Sequence, residues 1–316
     1  MVQPSYIKPA NKQNFTGVKE SAVNSPVSAK DQFIDFAILL KPRVMSLVLF
    51  TGFSGMFLAP GTIDILTATI AVICIAVGAG AAGAINMWYD RDIDQMMERT
   101  MNRPLPAGRV KPNAALILGT ILSVISISTM TIFINIMSGI LLAATVLFYV
   151  FVYTVWLKRR TPQNIVIGGA AGALPPMIGW AAVTNDIGIG SLILFAIIFL
   201  WTPPHFWALS LYLTEDYEKA GVPMMPVVSG KIETKRLILL YSFILFPVTL
   251  APYFIGLIGP YGLALISILG IIFIAHAFKV KFSNESHAPR SMFRYSIFYL
   301  FLVFVILIAD HTFFIM

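Results

Sequence analysis

The sequence predicts an all-α membrane protein, with nine transmembrane helices around a central cavity that opens to the cytoplasmic side. Three observations lead there. Hydrophobic residues make up 58% of the 316 and charged residues only 12%, with a mean hydropathy of +0.82. A soluble domain carries about 25% charged residues to cover its surface, so this chain cannot solvate itself in water. Nine apolar runs each approach the roughly 20 residues that a helix needs to cross the hydrocarbon layer, and the basic residues collect on alternate sides of those runs. The single cysteine, Cys74, sits within the apolar stretch 71–76, which excludes a disulfide framework and a cysteine metal cluster.

The runs cover residues 44–60, 65–88, 114–135, 137–157, 164–183, 190–212, 237–257, 262–279 and 293–314. They are continuously apolar, without the alternation of barrel strands, and therefore read as helices. Helix-stopping chemistry separates several of them: Ala59-Pro60-Gly61, Asn185-Asp186 and Gly259-Pro260-Tyr261-Gly262. In the fifth run, Pro175-Pro176 predict a kink and Gly168, Gly169 and Gly172 a close helix approach. Residues 1–32 are mainly polar, with neither an apolar core nor a cleavage-like site. They are expected to be a cytoplasmic tail and not a signal peptide, leaving 33–316 as the nine-helix domain.

All 22 Lys and Arg lie before the first run or after the second, fourth, sixth and eighth. The other loops carry only Asp64, Asp186 and, near the end, Asp310. By the positive-inside rule the N-terminus and the even-numbered loops face the cytoplasm (or a mitochondrial matrix), and the C-terminus lies across the membrane. The net charge of +7 is thereby explained by topology, and no nucleic-acid partner is expected.

Acidic residues crowd two of those cytoplasmic loops. After the second run, Asn86, Asp90 and Asp94 are spaced by four and share one face if the helix continues. Carboxylates one turn apart repel unless something positive binds between them. Mg²⁺ suits the position, because it takes carboxylate oxygens, keeps waters and fills its remaining places with substrate phosphates. Arg99, Arg103, Arg109 and Lys111 follow at once, and guanidiniums match phosphate oxygens. The pattern points to a diphosphate site. After the sixth run, Asp216, with Glu215 or Glu218, offers a second metal position, and Lys219 a second phosphate contact. Asp92, Glu98 and Glu233 read as solvated surface. Because acid and base are confined to one rim, the pattern is that of a pocket and not of a transporter's pathway through the bilayer.

With these residues in view the chain resembles the UbiA-type intramembrane prenyltransferase superfamily. The first signature stands as Asn86, Asp90, Asp94, Arg99, Thr100, Arg103 and Gly108; the blocks 159–169, 201–207 and 216–224 and the start Lys41-Pro42-Arg43-Val44 also match. Within the superfamily the set is most similar to the branch that joins a farnesyl chain to heme b. The wider superfamily often carries two aspartates four apart in its second cluster, whereas this chain has Asp216 and then Ala220, so the second metal's ligands stay open among Glu215, Asp216 and Glu218. The resemblance implies farnesyl diphosphate and heme b as substrates, heme O as product and Mg²⁺ as cofactor. It implies Asp90, Asp94 and Asp216 as metal ligands, with Glu215 a candidate beside Asp216, and Asn86 and Lys219 in the catalytic set. Arg99, Arg103, Arg160 and Lys219 are implied for the diphosphate. The expected setting is a bacterial plasma membrane or the inner mitochondrial membrane, with a downstream heme-modifying enzyme as recipient of the product. An aromatic quinone precursor is the rival acceptor.

His205 follows Pro203-Pro204 inside the sixth run, where a polar side chain needs a partner. Two roles stay open for it: a ligand to heme iron or a hydrogen bond to a neighbouring helix. Asn164 is expected at the cavity mouth.

Overall fold

The computed structural model describes residues 29–283 and 287–315, all in helices and their connections. Of the tail expected at 1–32, residues 1–28 lie outside the described residues. A short helix, α1 (Ala29–Leu39), leads into α2 (Pro42–Leu58) and α3 (Ile65–Tyr89), which a brief α4 (Arg91–Met96) extends. Next come α5 (Pro112–Phe133) and α6 (Ile136–Leu147), continued without a break by a π-helical segment, Phe148–Leu157. The pair α7 (Asn164–Ala173) and α8 (Pro175–Thr184) precedes α9 (Ile189–Tyr212), the short α10 (Thr214–Lys219) and α11 (Met225–Val228). Then α12 (Gly230–Phe254), α13 (Pro260–Phe282) and α14 (His287–Ile315) complete the bundle.

Eight of the nine expected runs form helices long and apolar enough to cross a membrane. The other, α2, is apolar but has 17 residues, at the lower limit for a span. The fifth run is a bent span: α7 and α8 meet at Leu174-Pro175, where a proline ring leaves no amide proton for the preceding turn.

Small residues set the closest crossing. A Cβ on Gly55 of α2 would stand 1.9 Å from the Pro176 carbonyl oxygen, and one on Gly179 of α8 would stand 1.9 Å from that of Gly52. Only glycine lets these backbones touch. A large apolar cluster buries Trp207, Phe273, Tyr299 and Phe304 among α9, α12, α13 and α14. A second packs α3, α5, α6 and α8 around Ile75, Met130, Leu142 and Ile178. At the end carrying Asp64, Asp186 and Asp310, the Asp310 carboxylate receives the backbone N–H groups of Gly259 and, at 2.8 Å, of Gly262. It thus caps α13 from α14, satisfying donors that the helix start leaves free.

Candidate active site

The second expected helix does bend at its tip, yet the register holds. α3 ends at Tyr89 and α4 starts at Arg91, with Asp90 between them at φ −88° and ψ 5°. The four-residue bonds nevertheless continue: Asp90 N–H donates to the Asn86 carbonyl and Asp94 N–H to that of Asp90, both at 2.9 Å. Asn86, Asp90 and Asp94 therefore stay on one face, and the two carboxylates are only 1% and 2% exposed.

The repulsion expected between those carboxylates is relieved by the protein's own cations. Arg103 Nη1 donates to Asp94 Oδ2 at 2.7 Å, and Thr100 Oγ1 bonds the Asp94 carbonyl at 2.9 Å. Lys158 Nζ donates to Asp90 Oδ2, which also accepts Asn86 Nδ2 at 2.7 Å. Asn86 Oδ1 in turn accepts Lys41 Nζ at 2.8 Å. Burial, with Arg103 and Lys158 nearby, pushes the Lys41 ammonium down to about 7, against the pull of Asp90 and Asp94. Its backbone is left-handed (φ 53°), unusual for a residue with a side chain. Arg159 forks onto Asp92 with two bonds of 2.7 Å, which hold that carboxyl below the usual range.

Three of these partners, Lys41, Lys158 and Arg159, were not singled out for the site from the sequence. For Lys158 and Arg159 the missing signal is the π-helical segment, Phe148–Leu157, that they follow. Its wider turn lets Thr154 Oγ1 reach the Tyr149 carbonyl at 2.9 Å and Lys158 N–H that of Tyr153, five residues back. Ordinary 3.6-residue spacing would place Thr154 and Lys158 elsewhere; here Thr154 accepts Asn86 Nδ2 at 3.1 Å. π-turns occur often at functional sites, but apolar composition does not announce one.

The loops after α3 and after α9 meet. Ile93 and Met97 are buried together with Ile165 of α7 and with Tyr217, Ala220, Val222 and Met224. Asp94 and Asp216 are each next in sequence to a member of that cluster, so the two acidic loops are packed as one unit. Asp216 is half-buried, whereas Glu215, Glu218 and Lys219 are exposed. Arg99 and Arg160 are exposed as well. Neither Arg99 nor Arg160 forms an ion pair among the described residues. Asn164 is fully buried, its Nδ2 on the Thr161 carbonyl at 2.6 Å and its Oδ1 without a hydrogen bond.

Among the described residues no three His, Cys, Asp or Glu side chains gather closely enough to form a metal cage. Mg²⁺ does not require one, since it is usually held by one or two carboxylates plus waters and substrate phosphates. Asp90 Oδ1 fits that demand: it is buried and accepts no hydrogen bond, with only the Arg159 guanidinium at 3.6 Å. An unsatisfied carboxylate oxygen in such a place is costly unless a ligand claims it.

His205 is buried between Trp201 and Phe293, with ring centroids 4.2 and 4.7 Å away. Its Nδ1 lies 2.6 Å from Ser296 Oγ. The Ser296 hydroxyl donates its one proton to the Phe293 carbonyl at 2.7 Å, so Oγ must accept from Nδ1–H. That assignment leaves Nε2 with a free lone pair.

The family model of the UbiA prenyltransferase family matches residues 48–305. The chain belongs to the UbiA prenyltransferase family. This prenyltransferase is 56% identical over 280 residues to the protoheme IX farnesyltransferase of Parvibaculum lavamentivorans, covering 87% of this chain and 88% of that one. It is 54% identical over 292 residues to the protein of the same name from Ehrlichia canis, covering 92% and 96%. Among solved folds, a digeranylgeranylglyceryl phosphate synthase superposes with a TM-score of 0.75 at 21% identity, over 89% of this chain and 99% of the other. A UbiA homolog from Archaeoglobus fulgidus bound to DMAPP and Mg²⁺ gives 0.62 at 17%, over 86% and 99%. This UbiA-family chain is thus an integral membrane prenyltransferase.

Proposed function

We propose that this prenyltransferase moves the farnesyl group of farnesyl diphosphate onto a vinyl group of heme b, releasing diphosphate and giving heme O. The observation that carries the reading is the pair of buried carboxylates, Asp90 and Asp94, set among Arg103, Lys158 and Lys41. Relatives at 51–56% identity that are named protoheme IX farnesyltransferase support the choice of donor and acceptor.

In the reaction the allylic C–O bond breaks and diphosphate leaves. The vinyl carbon forms the new C–C bond, and water then adds to the heme-side cation with loss of a proton. Asp90 and Asp94 would hold Mg²⁺, with Asp216 and Glu215 on the facing loop for a second ion. When bound, Mg²⁺ neutralises charge on the leaving diphosphate. Asn86 fixes Asp90. Arg99, Arg103, Arg160 and Lys219 serve the phosphate oxygens, where charge grows as the bond breaks. The cytoplasm-facing cavity we propose among the helices would exclude bulk water from the allylic cation, and His205 would offer Nε2 to the heme iron.

The setting we assign is a bacterial plasma membrane or the inner mitochondrial membrane. The basic loops face the cytoplasm or matrix and the C-terminus lies across the bilayer. Residues 33–316 act as one domain, and the product passes to a heme-modifying enzyme. Incubating membranes that contain the protein with heme b and farnesyl diphosphate, then weighing the product, tests the function. The mass of a hydroxyethylfarnesyl heme is expected. Prenylation of an aromatic acid with no change in the heme would refute it.

A further inference from the structure

A second basic group lies at the start of α14, beside the end of α9. The Arg290 guanidinium stands 5.3 Å from the centre of the Tyr212 ring, at the end of α9. Arg294 follows one turn later on α14, and both arginines are exposed. Neither Arg290 nor Arg294 forms an ion pair with a described residue. Two guanidiniums one helical turn apart, neither paired with a described carboxylate, repel one another and favour an anion carrying more than one charge.

What distinguishes this patch from an ordinary cytoplasmic fringe is the wall beneath it. The Tyr212 ring meets Phe293 edge-on at 6.1 Å, and Phe293 stacks on His205, which stacks on Trp201. A file of aromatic faces therefore runs from Arg290 at the rim to the imidazole that presents Nε2. Such a file suits a broad flat ligand with anionic groups on one edge. A guanidinium is the group that pairs with a carboxylate through two parallel bonds.

Resting on the heme reading above, we propose that Arg290 and Arg294 bind the two propionate carboxylates of the heme acceptor. Held there, the propionate edge faces the α14 rim. The vinyl-bearing pyrroles, on the opposite edge of the macrocycle, turn inward toward the donor.

The test compares heme b with its dimethyl ester, in which both carboxylates are masked, using the purified enzyme and mass detection of the farnesylated product. The wild type is expected to show a KM about tenfold or more higher for the ester, equivalent to losing roughly one charge-assisted contact. R290Q/R294Q should raise the KM for heme b to the same extent. It should leave the KM for the ester and for farnesyl diphosphate unchanged, with little effect on kcat. R290K, which keeps the charge but loses the fork, should fall between. Equal use of acid and ester by the wild type overturns the proposal without any variant. An equal KM rise for both acceptors would reduce the arginines to packing, and a rise for farnesyl diphosphate alone would move them to the donor site; either result also overturns it. A wild type that farnesylates neither porphyrin would instead strike the heme reading itself, and this proposal with it.

Discussion

Arg103 Nη1 lies 2.7 Å from Asp94 Oδ2, so the first acidic cluster carries its own counterion nine residues further along the chain. The ion pair is buried on the carboxylate side and one-quarter exposed on the arginine side. A cation in that position offsets the carboxylate's negative charge and is one side-chain rotation from the place where a phosphate would bind.

Exchanging Asp90 or Asp94 for asparagine keeps the shape and removes the charge. Farnesyl transfer is expected to fall by a factor on the order of 10² to 10³ or more, with membrane insertion unchanged. Product mass measured on purified, correctly inserted protein checks this. Full turnover after either change would remove both residues from the metal site.

Chelation supplies a separate test of the same site. Excess EDTA should abolish turnover and added Mg²⁺ restore it, because the carboxylates alone add negative charge next to a diphosphate. Rates indifferent to chelator would mean that cationic side chains suffice.

Lys158 and Arg160 differ by two positions and should differ sharply in effect. Lys158→Gln removes the direct partner of buried Asp90, and is expected to cost about 10- to 100-fold in kcat/KM. Arg160, exposed and without an ion pair among the described residues, supports none of the buried carboxylates and meets only the bound diphosphate, so Arg160→Gln should act mainly by raising the KM for farnesyl diphosphate. Parallel kinetics on the two variants decide the matter, and an unchanged kcat/KM for Lys158→Gln would contradict the arrangement described for Asp90.

His205→Ala should abolish the Soret shift that follows heme addition. Ser296→Ala should weaken it, because Ser296 Oγ fixes the Nδ1–H tautomer. An unchanged spectrum in the His205 variant would leave that residue with hydrogen bonding between helices alone.

Gly168 of α7 tests the π-helical segment. A Cβ there would sit 2.2 Å from Tyr153 Cδ2, so Gly168→Ala should destabilise the protein by about 1–3 kcal/mol. A lower thermal midpoint in detergent is the readout, and an unaltered midpoint would mean that Tyr153 has room to move.

The sequence by itself determined the solvent, most of the helices and the acidic residues of the candidate site. Twenty-odd apolar residues in a row can satisfy their backbone in lipid only as a helix, and eight of the nine expected runs became helices of spanning length, one of them bent at Pro175. The four-residue spacing of Asn86, Asp90 and Asp94 survived the bend at Asp90 because local i→i−4 bonds do not depend on the rest of the chain. What the tertiary structure decided is which charges face one another. The union of the two acidic loops through Ile93, Met97 and Tyr217, the reach of Lys41 across to Asn86 and the choice of Lys158 over Arg160 all depend on contacts between residues far apart in sequence. Those contacts follow from helix crossings at glycine and from an unwound π-turn. Periodicity records the face a residue occupies, but the partner on the next helix is fixed only when the bundle closes.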